Sequence, residues 1–386
     1  MAKYRLEELC EFITDGTHQT PKYCDELEGV KFLSSKDVTE CVINWDNVKY
    51  IPYDLHEELH KRLSPKRNDI LLAKNGTTGV AALVDRDEIF DIYVSLALLR
   101  PKESIFPKYL FYAVNSASAR RQFNAGLKGI GVPNLHLNVI RKTELTIAPR
   151  GEQESICDIL DCISGIIELR KRELAQFDEL IKARFIEMFA NARTKLVDEI
   201  CESFKIGPFG SALHKNEMSK EGYAFVLGTD NAVKNKFAIK EVRFISKEKY
   251  IELEKYTTRP RDVIMSMMGT VGRVAVVPDD FGISIISSHL CILRINEQLM
   301  LPEFFYLAFC KDDAIQFQID GIQNGSIMKG FNLKIVKAFS IKCPDLLEQK
   351  EFLDFVKQID KSKTTVQKSL IEAQLLFDSL MQSYFG

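Results

Sequence analysis

Nowhere in these 386 residues does an apolar run approach the ~18 uninterrupted residues that a membrane span needs. The opening stretch MAKYRLEELCEF has no apolar signal core either, so the expectation is a cytoplasmic protein with no membrane contact. Nine cysteines are present, an odd number, and none forms a C-x-x-C pair; the closest two, Cys157 and Cys162, fall inside a helical pattern. That spacing argues against a zinc or disulfide framework and for reduced, mostly buried thiols. There is no Walker A sequence to cradle phosphates, no G-x-S-x-G elbow, and no N-P-P-Y or D-P-P-Y tetrapeptide of an adenine methyltransferase. The glycine-rich GIGVPN (Gly129–Asn134) lacks the strand before it and the long helix after it that a nucleotide site requires. We therefore expect a chain that does no covalent chemistry itself, with no catalytic residue, no bound metal and no cofactor of its own.

A dominant charge is also missing. The net charge is −2, and 46% hydrophobic with 27% charged residues is ordinary globular composition. Counting Lys and Arg against Asp and Glu gives +1 for residues 1–150, −4 for 151–190, +2 for 191–345 and −1 for 346–386. Any affinity for a polyanion must come from local patches and docked partners, since each neutralised phosphate contributes its own salt-dependent share.

What the chain does have is a duplication. DILLAKNGTTGVAALV (Asp69–Val84) is echoed by DVIMSMMGTVGRVAVV (Asp262–Val277) at a separation of 193, half of 386. Gly29, Phe32 and Asp37 fall on Gly222, Phe225 and Asp230 at the same spacing. Further on, PKYLFYA (Pro107–Ala113) meets PEFFYLA (Pro302–Ala308), and PNLHL (Pro133–Leu137) meets FNLKI (Phe331–Ile335). Such self-similarity decides the fold before anything else does. Residues 1–150 and 191–345 alternate short β-rich runs with Gly, Asn and Pro punctuation and brief helical patterns, and NGTTG reads as a hairpin-like turn. Residues 151–190 and 346–386 instead keep a 4,3 apolar spacing. Ile163, Ile167, Leu174, Phe177 and Ile181 carry it in the first, and Ile359, Val366, Leu370, Phe377 and Leu380 in the second, with breaks at Arg170, Arg184 and Lys363. This predicts two helices of roughly 60 Å packed as an antiparallel coiled coil. The fold class is α+β: two mixed blocks held apart by two helices, with a pseudo-twofold axis.

Two motifs point elsewhere. HEELH (His56–His60) matches the zinc-peptidase pattern, two imidazoles one helical turn apart with Glu57 as base. Pro52 and Pro65 confine it to about three turns, no third ligand is apparent, and KYIEL (Lys249–Leu253) in the other half has no histidine, so an exposed surface helix is expected. PDLLEQK (Pro344–Lys350) contains the letters of a PD-(D/E)xK nuclease, but Asp345 and Glu348 are too close for that site and suit a helix cap.

There remain three pairs of polar loops: ITDGTHQTPKY with KIGPFGSALHK, AKNGTTG with MMGTVGR, and GLKGIGVPN with QNGSIMKGFN. Small residues let backbone approach a ligand, while Thr, His, Asn, Lys and Arg bond phosphates or base edges. With ITDGTHQTPKY and IGPFGSAL opening the two blocks, and with the plan of block, helix, block, helix over essentially the whole length, the chain resembles the specificity subunit of Type I restriction-modification systems. The resemblance implies two target-recognition domains, each reading one half of a split double-stranded DNA site. It implies helices that bind two modification subunits, and restriction subunits joining as motor and nuclease. S-adenosylmethionine, ATP and Mg belong to those partners. Carried onto this chain, the DNA-facing residues are Thr17, His18, Thr20 and Lys22 in the first block and Ser211, His214 and Lys215 in the second. Lys74, Asn75, Thr77, Lys128, Thr270, Arg273, Asn324, Ser326 and Lys329 follow. A zinc hydrolase built on His56, Glu57 and His60, a coiled-coil adaptor that never touches DNA, and a methylation-only assembly are the rival readings.

Overall fold

The computed structural model describes residues 2–127, 134–324 and 330–386. They divide into two compact units, residues 1–171 with 367–386, and residues 172–366. Each long helix is thus shared between the units, because its two halves pack on different blocks; the continuous helices span Arg150–Phe189 and Leu346–Phe385.

The first unit is built on a four-stranded antiparallel sheet in the order Cys10–Asp15, Leu96–Pro101, Ile70–Ala73, Ala81–Leu83. A second sheet places Gly29–Leu33 between Lys49–Pro52, antiparallel, and Phe90–Ile92, parallel. Ile70–Ala73 is buried at every position, which explains why it reads as an unbroken apolar run rather than as alternation; Phe90–Ile92 is buried throughout as well, although it carries Asp91. The second unit repeats both sheets: Cys201–Ile206, Leu290–Ile295, Val263–Ser266, Val274–Val276, then Ala224–Leu227 between Phe244–Ile245 and Ser284–Ile286. The NGTTG hairpin is present in both copies, and it turns on Gly76 and Gly79, with Gly269 and Gly272 in the second, all at φ between 74° and 85°. That left-handed backbone is the physical reason the glycines are repeated.

The duplication extends to individual bonds. The Leu6 N–H donates to the Thr143 carbonyl at 2.9 Å as Val197 does to Phe339. The Gln122 side chain brackets the backbone of Glu144 as Gln318 brackets Ser340. Arg100–Asp69 and Arg294–Asp262 pairs, each a half-buried guanidinium on a buried carboxylate, recur in the two units. These matches correct two alignments. Tyr93 and Ser287 donate to Leu33 and Leu227, and the Asp37 and Asn231 side chains accept from Ser34 and Gly228, so Phe32 and Asp37 fall on Val226 and Asn231, one position out of the expected register. Leu135 donates to Lys74 as Phe331 does to Met267, so PNLHL meets FNLKI two positions out of the expected register, with Leu137 and Leu333 opening equivalent short helices.

In the first unit Ile156, Cys157 and Leu160 share a core with Phe385, and Phe377, Leu380 and Tyr384 pack on it. In the second, Ile181, Phe185 and Phe189 share a core with Phe352 and Val356, and Ile359 packs against it. Within each unit, therefore, the start of one helix lies against the end of the other, which is an antiparallel pairing. Ile163, Ile167, Ile181 and Val366 are buried, and Leu174, Phe177, Ile359, Leu370, Phe377 and Leu380 are half-buried, so the whole 4,3 stripe faces inward. The break at Lys363 is used: its ammonium sits 2.8 Å from Asp178. Glu348 caps the second helix by accepting the Asp345 backbone N–H at 3.1 Å. All nine cysteines are free, but only Cys10, Cys157 and Cys291 are fully buried, fewer than expected, because five others lie half-covered at sheet and helix margins. Burial pushes these three thiols up to about 12.

Candidate nucleic-acid interface

In the first unit, Asp15 ends the strand Cys10–Asp15, and Gly16 follows with no room for a side chain: an added Cβ would lie 1.9 Å from the Ile92 carbonyl oxygen. Thr17 then bonds back to the same region, its N–H donating to Ile92 and its carbonyl accepting from Val94. Thr20 reaches the Tyr93 hydroxyl at 3.2 Å. His18, Thr20 and Lys22 are exposed on the loop so anchored. Beside it runs the turn after Ile70–Ala73, tied down through Lys74 N–H to the Ser95 carbonyl and Leu135 N–H to the Lys74 carbonyl. Between the two loops opens a recess of about 490 Å³ lined by Asp15, His18, Lys74, Asn75, Asn134 and His136. Backbone bonds place it at one end of the sheet, and Arg62 and Arg141 hold its wall by donating to the Asp15 and Ile13 carbonyls at 3.1 and 2.7 Å.

Lys74 departs from its expected role as a cation facing a ligand. Its side chain is 7% exposed and its ammonium lies 2.5 Å from Asp15, so its charge is neutralised inside the protein. The pair forms the floor of the recess, with His18 Nε2 3.5 Å from the other Asp15 oxygen. Thr77 is exposed, yet its hydroxyl donates to the Val38 carbonyl at 3.2 Å. Asn75 and Asn134 each bury a side-chain carbonyl oxygen without a protein partner. Asp15 and Asn134 lie within the paired loops but were not singled out, and His136 lies just beyond them; the alternation of Asn134, His136 and Asn138 with two leucines was the available signal.

In the second unit Gly207 repeats Gly16, its Cβ position blocked 1.9 Å from the Ser287 carbonyl oxygen. Ser211, His214 and Lys215 are exposed on the loop that follows, and Thr270 and Arg273 are exposed on the neighbouring turn. The lining differs. Strand pairing and the shared backbone bonds put Ile206 where Asp15 stands, Met267 for Lys74, Met268 for Asn75 and Gly330 for Asn134. Phe209, two residues beyond Gly207 on the same loop, is 86% exposed. The same scaffold thus presents a charged, polar mouth in one unit and an apolar one in the other. Lys128, Ser326 and Lys329, and the side chain of Asn324, lie outside the described residues.

Away from the recess, the surface helix Tyr53–Arg62 carries His56 and His60, and the third group that the sequence did not offer comes from another element, Asp91 on the strand Phe90–Ile92. His56 Nδ1 lies 2.7 Å from one Asp91 oxygen and His60 Nδ1 lies 3.5 Å from the other.

Two-unit architecture, a duplicated loop cluster and divergent lining define a protein with two versions of one recognition module. Comparison with known proteins gives the family: the model of the Type I restriction modification DNA specificity domain matches residues 1–178 and again 193–375, and the chain belongs to that family. It is 24% identical over 184 residues to the MjaVIII specificity subunit of Methanocaldococcus jannaschii, covering 46% of this chain and 43% of that protein. It is 21% identical over 294 residues to the EcoBI specificity subunit of Escherichia coli, covering 67% and 60%. The matches therefore span less than two thirds of the length of either relative. The crystal structure of a Type I S subunit from M. genitalium shares the fold at a TM-score of 0.54, with 16% identity, 100% of this chain and 96% of that one. Neither the hydrolase nor the adaptor reading gains support from these relatives, and no helix among the described residues is long and apolar enough to cross a membrane.

Proposed function

We propose that this chain is the sequence-specific DNA-recognition subunit of a Type I restriction-modification complex, each unit reading one half of a split site. The observation that carries the reading is the divergence of lining on a repeated scaffold. Asp15, Lys74, Asn75 and Asn134 in one unit stand where Ile206, Met267, Met268 and Gly330 stand in the other. Polar groups of the first kind bond base edges, whereas apolar ones pack against thymine methyls or stacked faces, so two such modules read two different half-sites. In this reading Thr17, His18, Thr20, Lys22, Asn75, Ser211, His214, Lys215, Thr270 and Arg273 meet DNA, with Lys74 acting through Asp15 rather than as a free cation.

The long helices supply the docking surface for two modification subunits. Ile159, Ile166 and Leu169 on the first helix and Ile371, Leu375 and Leu376 on the second are exposed apolar side chains that no element of this unit covers. Methyl transfer with S-adenosylmethionine, and ATP- and Mg-dependent translocation and cutting, belong to partner subunits in this scheme. Co-expression with the neighbouring methyltransferase genes, followed by mapping of adenine methylation across the host genome, tests it. A split motif is expected, one half of which changes when residues 1–150 are exchanged for another such block. A complex that assembles normally and adds no methylation would overturn it.

A further inference from the structure

We infer that His56, His60 and Asp91 form a binding site for one divalent d-block cation, with zinc the first candidate, that staples the helix Tyr53–Arg62 to the strand Phe90–Ile92. The i,i+4 spacing stacks both imidazoles on one face, their ring centroids 4.7 Å apart, and one ligand atom from each of the three residues lies within 4.8 Å of the others. Asp91 comes from a different element and its side chain is only 3% exposed.

The hydrogen bonding is incomplete in a way a cation resolves. His56 Nδ1 sits 2.7 Å from Asp91 Oδ2, whereas His60 Nδ1 and Asp91 Oδ1 face each other at 3.5 Å, both buried and neither hydrogen-bonded. On its far side, His60 Nε2 lies 2.8 Å from the Ser64 hydroxyl. With the Nε2 proton donated to Ser64, Nδ1 turns its lone pair toward a carboxylate oxygen, and two acceptors confront each other. Something positive belongs between them: a proton or a metal ion. A metal-bound histidine usually donates its other ring N–H to an acceptor that selects the tautomer and aims the ring, and the Ser64 hydroxyl oxygen is in place to be that acceptor. Two imidazoles and one carboxylate suit zinc or its neighbours at four-coordination, and do not suit calcium or magnesium, which demand oxygen shells. His56 and His60 keep 15% and 30% of their side chains exposed, so a water can complete the sphere.

The second unit lacks the site. Lys249–Leu253 has no histidine, and strand pairing puts Ile285 where Asp91 stands. The consequence for the first unit is local order: the same helix ends in Arg62, whose guanidinium holds the Asp15 carbonyl at the edge of the recess. The assignment is independent of which ligand that recess reads.

The full-length chain, stripped with chelator, would be titrated with Zn²⁺ by calorimetry and with Co²⁺ by visible absorption. One equivalent of each per chain is expected, the cobalt spectrum showing the bands of nitrogen and oxygen ligation without thiolate charge transfer. His60→Ala and Asp91→Asn, checked for fold by circular dichroism, should each weaken binding at least tenfold, and Ser64→Ala by about tenfold through loss of ring positioning. The wild-type cobalt spectrum keeps the test decisive if a variant fails to fold. No saturable uptake by the wild-type chain, thiolate bands, or unchanged affinity in His60→Ala would overturn the assignment and leave a shared proton as the occupant.

Discussion

Gln153 is the kind of residue whose importance no composition or spacing announces. Its side chain is 2% exposed near the start of the first long helix, accepting the Phe106 N–H at 2.8 Å and donating to the Ala148 carbonyl at 3.0 Å. Gln349 does the same in the second unit, accepting from Leu301 and donating to Pro344, each at 2.8 Å. Both amides satisfy backbone groups where a connecting loop meets a long helix. Replacing either by leucine strands a buried donor and a buried acceptor, and each costs roughly 1–3 kcal/mol. Gln153→Leu and Gln349→Leu are therefore expected to destabilise by about 2–6 kcal/mol in urea unfolding; a shift below about 0.5 kcal/mol, the usual scatter of neutral surface changes, would show that water replaces the amide. The same scale explains Lys74. A lysine in a polar loop reads as a ligand contact, yet only the fold brings Asp15 beside it, 59 residues away in sequence.

The long helices show how a pattern becomes an element. The 4,3 stripe is legible because each helix must hide one face along its whole length, and that face is buried or half-buried from Ile163 to Ile181. What the stripe does not reveal is how each helix is divided, with its two halves committed to two separate cores. In the second unit the packing concentrates on Phe352, fully buried, with ring centroids 5.6, 5.5 and 6.1 Å from Phe185, Phe189 and Phe304. Removing that ring should cost about 3–5 kcal/mol and lower the melting temperature measured by calorimetry, with Phe352→Leu recovering a large part of the loss. If Phe352→Ala melts as the wild-type chain does, the aromatic cluster is not what joins the helix to this block. Apolar residues off the stripe, such as Leu375 and Leu376, are exposed; within the chain they have no structural task, which is why they support a partner surface.

For the molecule as a whole, charge is the limiting quantity. A chain at −2 cannot hold a polyanion by its overall field, so affinity has to be placed by a few exposed cations. Lys22 and Lys215 occupy the anchored loops of the two units and are exposed. Lys22→Ala and Lys215→Ala should each weaken DNA binding by the assembled complex and reduce the slope of log affinity against log salt by about 1, with no change in stability. Salt titration of the two variants checks this, and unchanged slopes in both would remove these loops from the interface.

The duplication, the α+β class and the paired loops could all be read from the sequence, because they rest on periodicity and on residue types whose backbone demands are local, such as the glycines at 76 and 269. Register through the insertions was misread by two positions between PNLHL and FNLKI, since insertions move letters while strand pairing and helix starts preserve space. The identity of the recess floor, the third member of the His56 and His60 cluster, and the amides that pin the long helices were decided by tertiary structure alone. Each depends on groups tens of residues apart meeting in a low-dielectric interior, where a charge or a hydrogen-bonding atom must find its partner, and chain spacing carries no record of such meetings.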